Sequence, residues 1–213
     1  MFYDVILVDD HSVLRAGIKS FLSENSDFDV KFEAASYEEC EKFFEMLNNA
    51  LIDIKRLIAV VDIFFSNLNN HHEDNVGFEI IKRFSAAGVK CIAFSSHDSG
   101  GFIENALNLG AKGFVSKNSE EKILLDALAT VAEGETYIQP NLVLNLLEVR
   151  DIYQTFTKKE KLVADILDLY KSNAELSQQL GISEKSFCNY LSTLYDKTGT
   201  VNKVQLLEVL GKL

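Results

Sequence analysis

Residues Leu57–Phe65 read LIAVVDIFF, a β-rich apolar run broken by one carboxylate, Asp62. A short unbroken apolar run of this kind is a strand buried on both faces, as in a parallel sheet between helix layers. An unpaired ionised carboxylate is costly to bury deep in such a layer. Asp62 therefore marks the strand's carboxyl end, where open α/β sheets place their ligands; an Asp that caps the following loop is the alternative from this run alone.

Working outward, three more segments end alike. Asp4–Val8 (DVILV) runs into Asp9-Asp10, then His11-Ser12 and a helical pattern. Cys91–Phe94 ends in Ser95-Ser96, and Gly113–Val115 ends in Ser116-Lys117. Three carboxylates at two strand ends suggest a hard-cation site, and Mg²⁺ takes oxygen ligands in phosphate chemistry. Three acids are matched in charge by one Mg²⁺ and one lysine. Without those cations the acids would raise one another's pKa; with them Asp62 stays ionised at neutral pH.

Strand and helix patterns alternate throughout the first part. Ser12 is placed to cap a helix over Val13–Ser23, and Asp29–Ala34 alternates as a second strand. Ser36–Glu39 is a capping box opening a helix with Cys40, Phe43, Phe44 and Leu47 apolar. Further helices are expected over Val76–Ala87, Gly101–Leu109 and Glu120–Ala132. Such alternation predicts a parallel sheet covered by helices on both faces.

The order of acid pair, acid, hydroxyl and lysine, in VDDH, VVDIFF, FSSHD and GAKGFVSK, resembles the receiver domain of bacterial two-component response regulators over residues 1–133. The resemblance implies a five-stranded flavodoxin-like sheet of order 2-1-3-4-5. It implies that Asp62 accepts a phosphoryl group from a sensor histidine kinase. Asp9, Asp10, Asp62 and the backbone carbonyl of Phe64 would hold Mg²⁺, Ser95 and Lys117 would contact the phosphoryl oxygens, and Phe114 would be the switch aromatic. The loop to Gly77 departs from the pattern: it lacks the usual proline and carries His71, His72, Glu73 and Asp74. A solvated loop tip is the plain reading of those four, a metal site the sharper one.

Residues 134–155 read as a linker, with the single proline, Pro140, and a short apolar helix over Leu142–Val149. Beyond it lie short Ser- or Thr-capped helices: Thr157–Glu160 opens one to Tyr170, Ser172-Asn173 caps Ala174–Leu180, Ser183 caps another to Lys197, and Asn202–Leu213 is the last. A short helix, a Gly-containing turn and a Ser-capped helix make the helix-turn-helix pattern. Residues 156–213, with LGISEKS as the most specific piece, resemble the all-α four-helix DNA-binding domain of the LuxR/NarL class. That resemblance puts Ser183–Lys197 in a major groove of double-stranded DNA, on a pseudo-palindromic site if the chain is a homodimer. Candidate contacts are Glu184, Lys185, Ser186, Cys188, Asn189, Ser192, Thr193 and Lys197; Phe187, Leu191 and Leu194 form the inward stripe. The reading segment is short of positive charge, with Cys188 and Asp196 where relatives commonly carry basic residues.

Bulk properties set bounds. The net charge of −11 falls entirely on residues 1–150, which hold 13 basic and 24 acidic residues; residues 151–213 hold eight of each. An acidic first part disfavours nucleic acid there, and a neutral second part permits it. No apolar run approaches a membrane span, and MFYDVILVDD lacks the basic start of a signal peptide. Three scattered cysteines, Cys40, Cys91 and Cys188, form no CxxC and suit a reducing cytoplasm. The sequence predicts a regulator rather than an enzyme. A phosphohydrolase nucleophile of the haloacid-dehalogenase type would be followed two residues on by a second Asp, and that position is Phe64. The competing regulator is one that acts through protein contacts, or without phosphorylation, with weak DNA binding.

Overall fold

Strand β1 (Tyr3–Val8) buries Val5, Ile6, Leu7 and Val8 together, so both faces are covered. Strand β3 (Leu57–Asp62) is buried at every position. The computed structural model describes residues 3–25, 27–48, 54–64 and 76–212. With β2 (Phe28–Ala34), β4 (Lys90–Ser95), β5 (Gly113–Ser116) and β6 (Tyr137–Ile138), these strands form one parallel sheet of order β2-β1-β3-β4-β5-β6 among the described residues. The expected order 2-1-3-4-5 is present, and a sixth strand extends it. Gly134, at φ +94°, turns the chain after α5 (Glu121–Ala132), and the short β6 then pairs with the β5 edge, Gly113 to Tyr137 and Phe114 to Ile138. The start of the expected linker is therefore sheet.

The crossovers carry α1 (Ser12–Asn25), α2 (Tyr37–Asn48), α3 (Val76–Ala86) and the start of a helix at Gly100, α4 (Gly100–Asn108). Helix α1 begins at Ser12 itself, with the carbonyl of His11 taking the Arg15 N–H, so His11 rather than Ser12 holds the capping position. Ser36 does cap α2, accepting from Glu39 N–H at 3.3 Å, while Glu39 reaches back to the Ala35 N–H at 2.7 Å. The longest expected loop, with His71–Asp74, lies outside the described residues.

The chain divides into two units, residues 1–97 with 106–140, and residues 98–105 with 141–213. The second contains α6 (Val143–Thr155), α7 (Lys158–Ile166), α8 (Asn173–Gln179), α9 (Glu184–Thr198) and α10 (Lys203–Val209). Phe187, Leu191 and Leu194 of α9 are buried with Leu176 of α8 and Leu206 and Leu207 of α10 in one core. Helix α7 is shorter than its apolar period suggests: Leu167 is extended (φ −60°, ψ 131°), and Tyr170 is 58% exposed instead of inward. Asp168 Oδ1 accepts the Tyr170 N–H at 2.8 Å, a local turn that competes with further helix. Gly199, in left-handed conformation at φ +67°, ends α9. Within this unit a Cβ on Gly101 would stand 2.1 Å from the Val209 carbonyl oxygen, so the close approach of these backbones requires glycine. No helix among the described residues is long and apolar enough to cross a membrane.

Candidate phosphoacceptor site and reading helix

Strand register assembles the site. Val8 pairs with Val61, so Asp9 and Asp62 leave the sheet side by side. Asp62 pairs with Phe94, and Ser95 with Ser116, so Ser95 and Lys117 follow at the same carboxyl edge. A one-residue slip in any pairing would turn these side chains to the wrong face.

The predicted residues meet. Lys117 Nζ lies 2.7 Å from both Asp9 Oδ2 and Asp62 Oδ2, with the three side chains 10, 0 and 3% exposed. Ligand atoms of Asp9, Asp10, His11 and Asp62 all lie within 4.8 Å of one another. His11 was outside the expected ligand set: its backbone N–H donates to Asp9 Oδ1 at 2.8 Å, and its ring Nδ1 lies 2.8 Å from Asp10 Oδ1. The Phe64 N–H donates to Asp62 Oδ1 at 3.0 Å, turning the chain directly after the carboxylate. Ser95 is buried and its Oγ accepts the His97 N–H at 3.0 Å, which leaves its own O–H to donate. Phe114 is fully buried, and its carbonyl accepts the Gln139 N–H. Two contributors escaped the sequence reading: Arg15, whose Nη1 donates to the Asp9 carbonyl, and Gln139, whose Oε1 accepts the Ser116 N–H at 2.9 Å.

Burial pushes the Asp62 carboxyl above its ordinary value; the Lys117 bond and charge pull it back, and Asp9 adds to the rise. Three carboxylates face one ammonium here. Asp9 Oδ2 is buried yet accepts no aligned hydrogen bond among the described residues, although the Lys117 charge is near. A buried carboxylate oxygen short of donors among further acids is the donor set of a hard divalent cation, so these residues fit Mg²⁺.

In the second unit the candidate DNA contacts divide. Lys185, Cys188, Asn189 and Ser192 are exposed on α9, opposite Phe187, Leu191 and Leu194. Glu184 is exposed as well, whereas Ser186, Thr193 and Lys197 are engaged internally. The Ser186 N–H donates to the capping Ser183 Oγ at 3.1 Å, and Thr193 Oγ1 donates to the Asn189 carbonyl at 3.0 Å. Lys197 Nζ lies 2.7 Å from Glu160 Oε2 and donates to the Thr155 carbonyl at 2.7 Å. Glu160 also completes the α7 capping box with Thr157, and the Lys197 bond, then the Thr157 N–H, hold its carboxyl below the usual range.

Comparison with known proteins agrees with both halves. Residues 5–129 match the response regulator receiver domain, and residues 154–210 match the bacterial regulatory proteins of the luxR family. The transcriptional regulatory protein UhpA of Escherichia coli is 30% identical over 205 residues, spanning 95% of this chain and 94% of UhpA. DegU of Brevibacillus brevis is 24% identical, spanning 94% of this chain and 89% of DegU. In fold, the chain is similar to RcsB of Salmonella enterica serovar Typhimurium solved bound to a promoter. The TM-score is 0.68 at 20% identity, covering 100% of this chain and 99% of that one.

Proposed function

This chain belongs to the response regulators of the NarL/FixJ class, a receiver joined to a LuxR-type DNA-binding domain, and from that premise we propose a transcription regulator switched by phosphorylation of Asp62. The observation that carries the proposal is the convergence of Asp9, Asp10, Asp62, Ser95 and Lys117 at one sheet edge.

In this reading a sensor histidine kinase presents a phosphohistidine. An Asp62 oxygen attacks phosphorus, the P–N bond breaks, and its electron pair returns to the imidazole. Such transfer asks the protein mainly for positioning and neutralisation of charge. Lys117 holds the acceptor carboxylate in place and faces the incoming oxygens. The Ser95 hydroxyl donates to one of them. Asp9, Asp10, Asp62 and the Phe64 carbonyl would hold Mg²⁺, which when bound supplies the remaining positive charge. The added phosphoryl group biases a two-state element that includes Phe114, and repacking there alters dimerisation and the availability of α9. The chemistry is confined to the protein's own aspartate, so the chain acts as a regulator and not as a turnover enzyme.

The DNA-bound state would be a homodimer on a pseudo-palindromic duplex, with half-sites about one helical turn apart. Support comes from the exposed face of α9 and from the likeness in fold to RcsB, which was solved as dimers on DNA. The cytoplasm fits the three free cysteines. A second reading, action through protein contacts, is favoured by the scarcity of positive charge on α9.

Intact mass tests the proposal. The full chain is incubated with Mg²⁺ and a small acyl phosphate or phosphoramidate, wild type beside Asp62→Ala. A gain of one phosphoryl group in wild type alone is expected. No gain in either protein, or a gain in both, refutes Asp62 as the acceptor.

A further inference from the structure

The exposed stripe of α9 carries the inference, which rests on the DNA-binding reading above. At about 100° per residue, Lys185, Cys188, Asn189, Ser192 and Asp196 fall within roughly 100° of arc, and Glu184 lies off to one side. All six are exposed. The charges of this face are one ammonium and two carboxylates, because Lys197 is taken up by Glu160. Among the described residues no hydrogen bond or ion pair engages the Lys185 ammonium. Cys188 Sγ accepts only a long bond from Asn173 Nδ2, at 3.7 Å.

Base edges differ in what they ask of such a surface. Guanine presents two acceptors and is read most often by a cationic side chain. Adenine offers one acceptor and one donor, matched by a carboxamide. Thymine offers a methyl group, matched by an apolar contact. Asn189 and Cys188 are adjacent, in the second turn of α9, and recognition helices meet bases with their N-terminal part. Asp196 stands two turns further on, where a carboxylate repels phosphate.

We infer that α9 reads an adenine–thymine step with uncharged side chains, the Asn189 amide on adenine and the Cys188 thiol on a thymine methyl. Lys185 is the stripe's single phosphate contact, and Ser192 supplies an adaptable hydroxyl beside the pair. The affinity of this helix then rests on base contacts more than on counterion release, and its salt dependence is shallow.

The test uses the full chain and a pool of randomised duplexes, with and without acyl phosphate and Mg²⁺, at low and physiological salt. Enriched duplexes are expected to share an A·T step. Replacing that adenine by 7-deazaadenine weakens wild-type binding roughly 5- to 150-fold, the range of one bidentate pair, and has no effect on Asn189→Ala. Replacing the thymine by deoxyuridine weakens wild type and has no effect on Cys188→Ser. Lys185→Ala flattens the slope of log affinity against log salt by about 1 per bound protomer. Circular dichroism confirms that each variant keeps its helices. Enriched sites built on G·C steps that respond to Lys185→Ala but not to Asn189→Ala overturn this inference and leave DNA binding standing. Enriched sites indifferent to every α9 variant do the same. No enrichment under any condition overturns both, and turns attention to a protein partner for this face.

Discussion

Substituting Asp62 by Asn should make the metal-free protein more stable, although Asp62 takes part in a buried ion pair. At an effective dielectric of about 20, the attraction between Asp62 and Lys117 at 2.7 Å is about 6 kcal/mol. Ligand atoms of Asp9 and Asp10 stand up to 4.8 Å from those of Asp62, and each repels it by about 3–4 kcal/mol at the same dielectric. The Coulomb terms therefore nearly cancel. What remains is the cost of desolvating a carboxylate that is 3% exposed, and the substitution removes it. A gain of about 1–3 kcal/mol follows, or about 3–9 °C in the melting of the receiver. Lys117→Met goes the other way, by about 3–5 kcal/mol, because two buried carboxylates lose the ammonium that pairs with both. In the double variant, most of that loss returns. The assay is thermal unfolding by circular dichroism in EDTA, then in Mg²⁺. The ion should raise wild type more than Asp62→Asn, since it binds the native state and one of its ligands is weakened. The pH dependence has a definite sign. Asp62 is raised above 3.8 in the fold, so the native state keeps its proton to higher pH than the unfolded chain does. Stability is fully present below 3.8 and is lost as pH rises through the raised value, and the gap between variant and wild type opens over that window. If Asp62→Asn melts below wild type in EDTA at neutral pH, attraction by Lys117 outweighs repulsion and burial, and the reasoning is refuted.

Three further outcomes are expected. A Cβ at Gly77 would stand 2.0 Å from the Asp62 carbonyl oxygen and 2.6 Å from Ile63 Cα, so Gly77→Ala should cost about 2–3 kcal/mol and lower phosphoryl uptake in the mass assay. Glu160→Gln weakens both the Lys197 bond and the α7 cap, costing the helical unit about 2 kcal/mol in urea unfolding. Because the Glu160 carboxyl is held low in the fold, that contribution is complete above 4.5 and disappears as pH falls through the lowered value; a variant with unchanged acid sensitivity would contradict this. Lys212 Nζ donates to the Ala164 carbonyl at 2.7 Å and to that of Asp165, so Lys212→Met should loosen the end of α7 by about 1–2 kcal/mol and speed amide exchange there.

What the sequence makes legible is whatever depends on near neighbours, and what it hides depends on distant ones. LIAVVDIFF announces both a buried strand and its end, because burial forbids Asp62 anywhere but the edge. Once the strands are parallel and in register, Asp9, Asp62, Ser95 and Lys117 must come together, and the pairings of Val61, Asp62 and Ser95 bring this about. The Thr157 box and the Ser172 cap are equally local, and both form, the second also closing as a box with Glu175. Strand β6 is different. Two residues carry no periodicity, and they become sheet only because β5 offers an edge and the buried side-chain amide oxygen of Gln139 accepts the Ser116 N–H. The end of α7 is different as well. Its apolar spacing runs on to Tyr170, yet the Asp168 carboxylate takes the Tyr170 N–H and Lys212 takes the last carbonyls, one a local rival to helix and the other 48 residues away from Ala164. Lys197 shows how this bears on function. By spacing it belongs with the DNA contacts, and a count of charges includes it there. Its ammonium is instead bound to Glu160, 37 residues earlier, so the reading face is poorer in positive charge than the sequence alone suggests. On the reading inferred for α9, that deficit is the ground for moving the burden of recognition from phosphates to base edges.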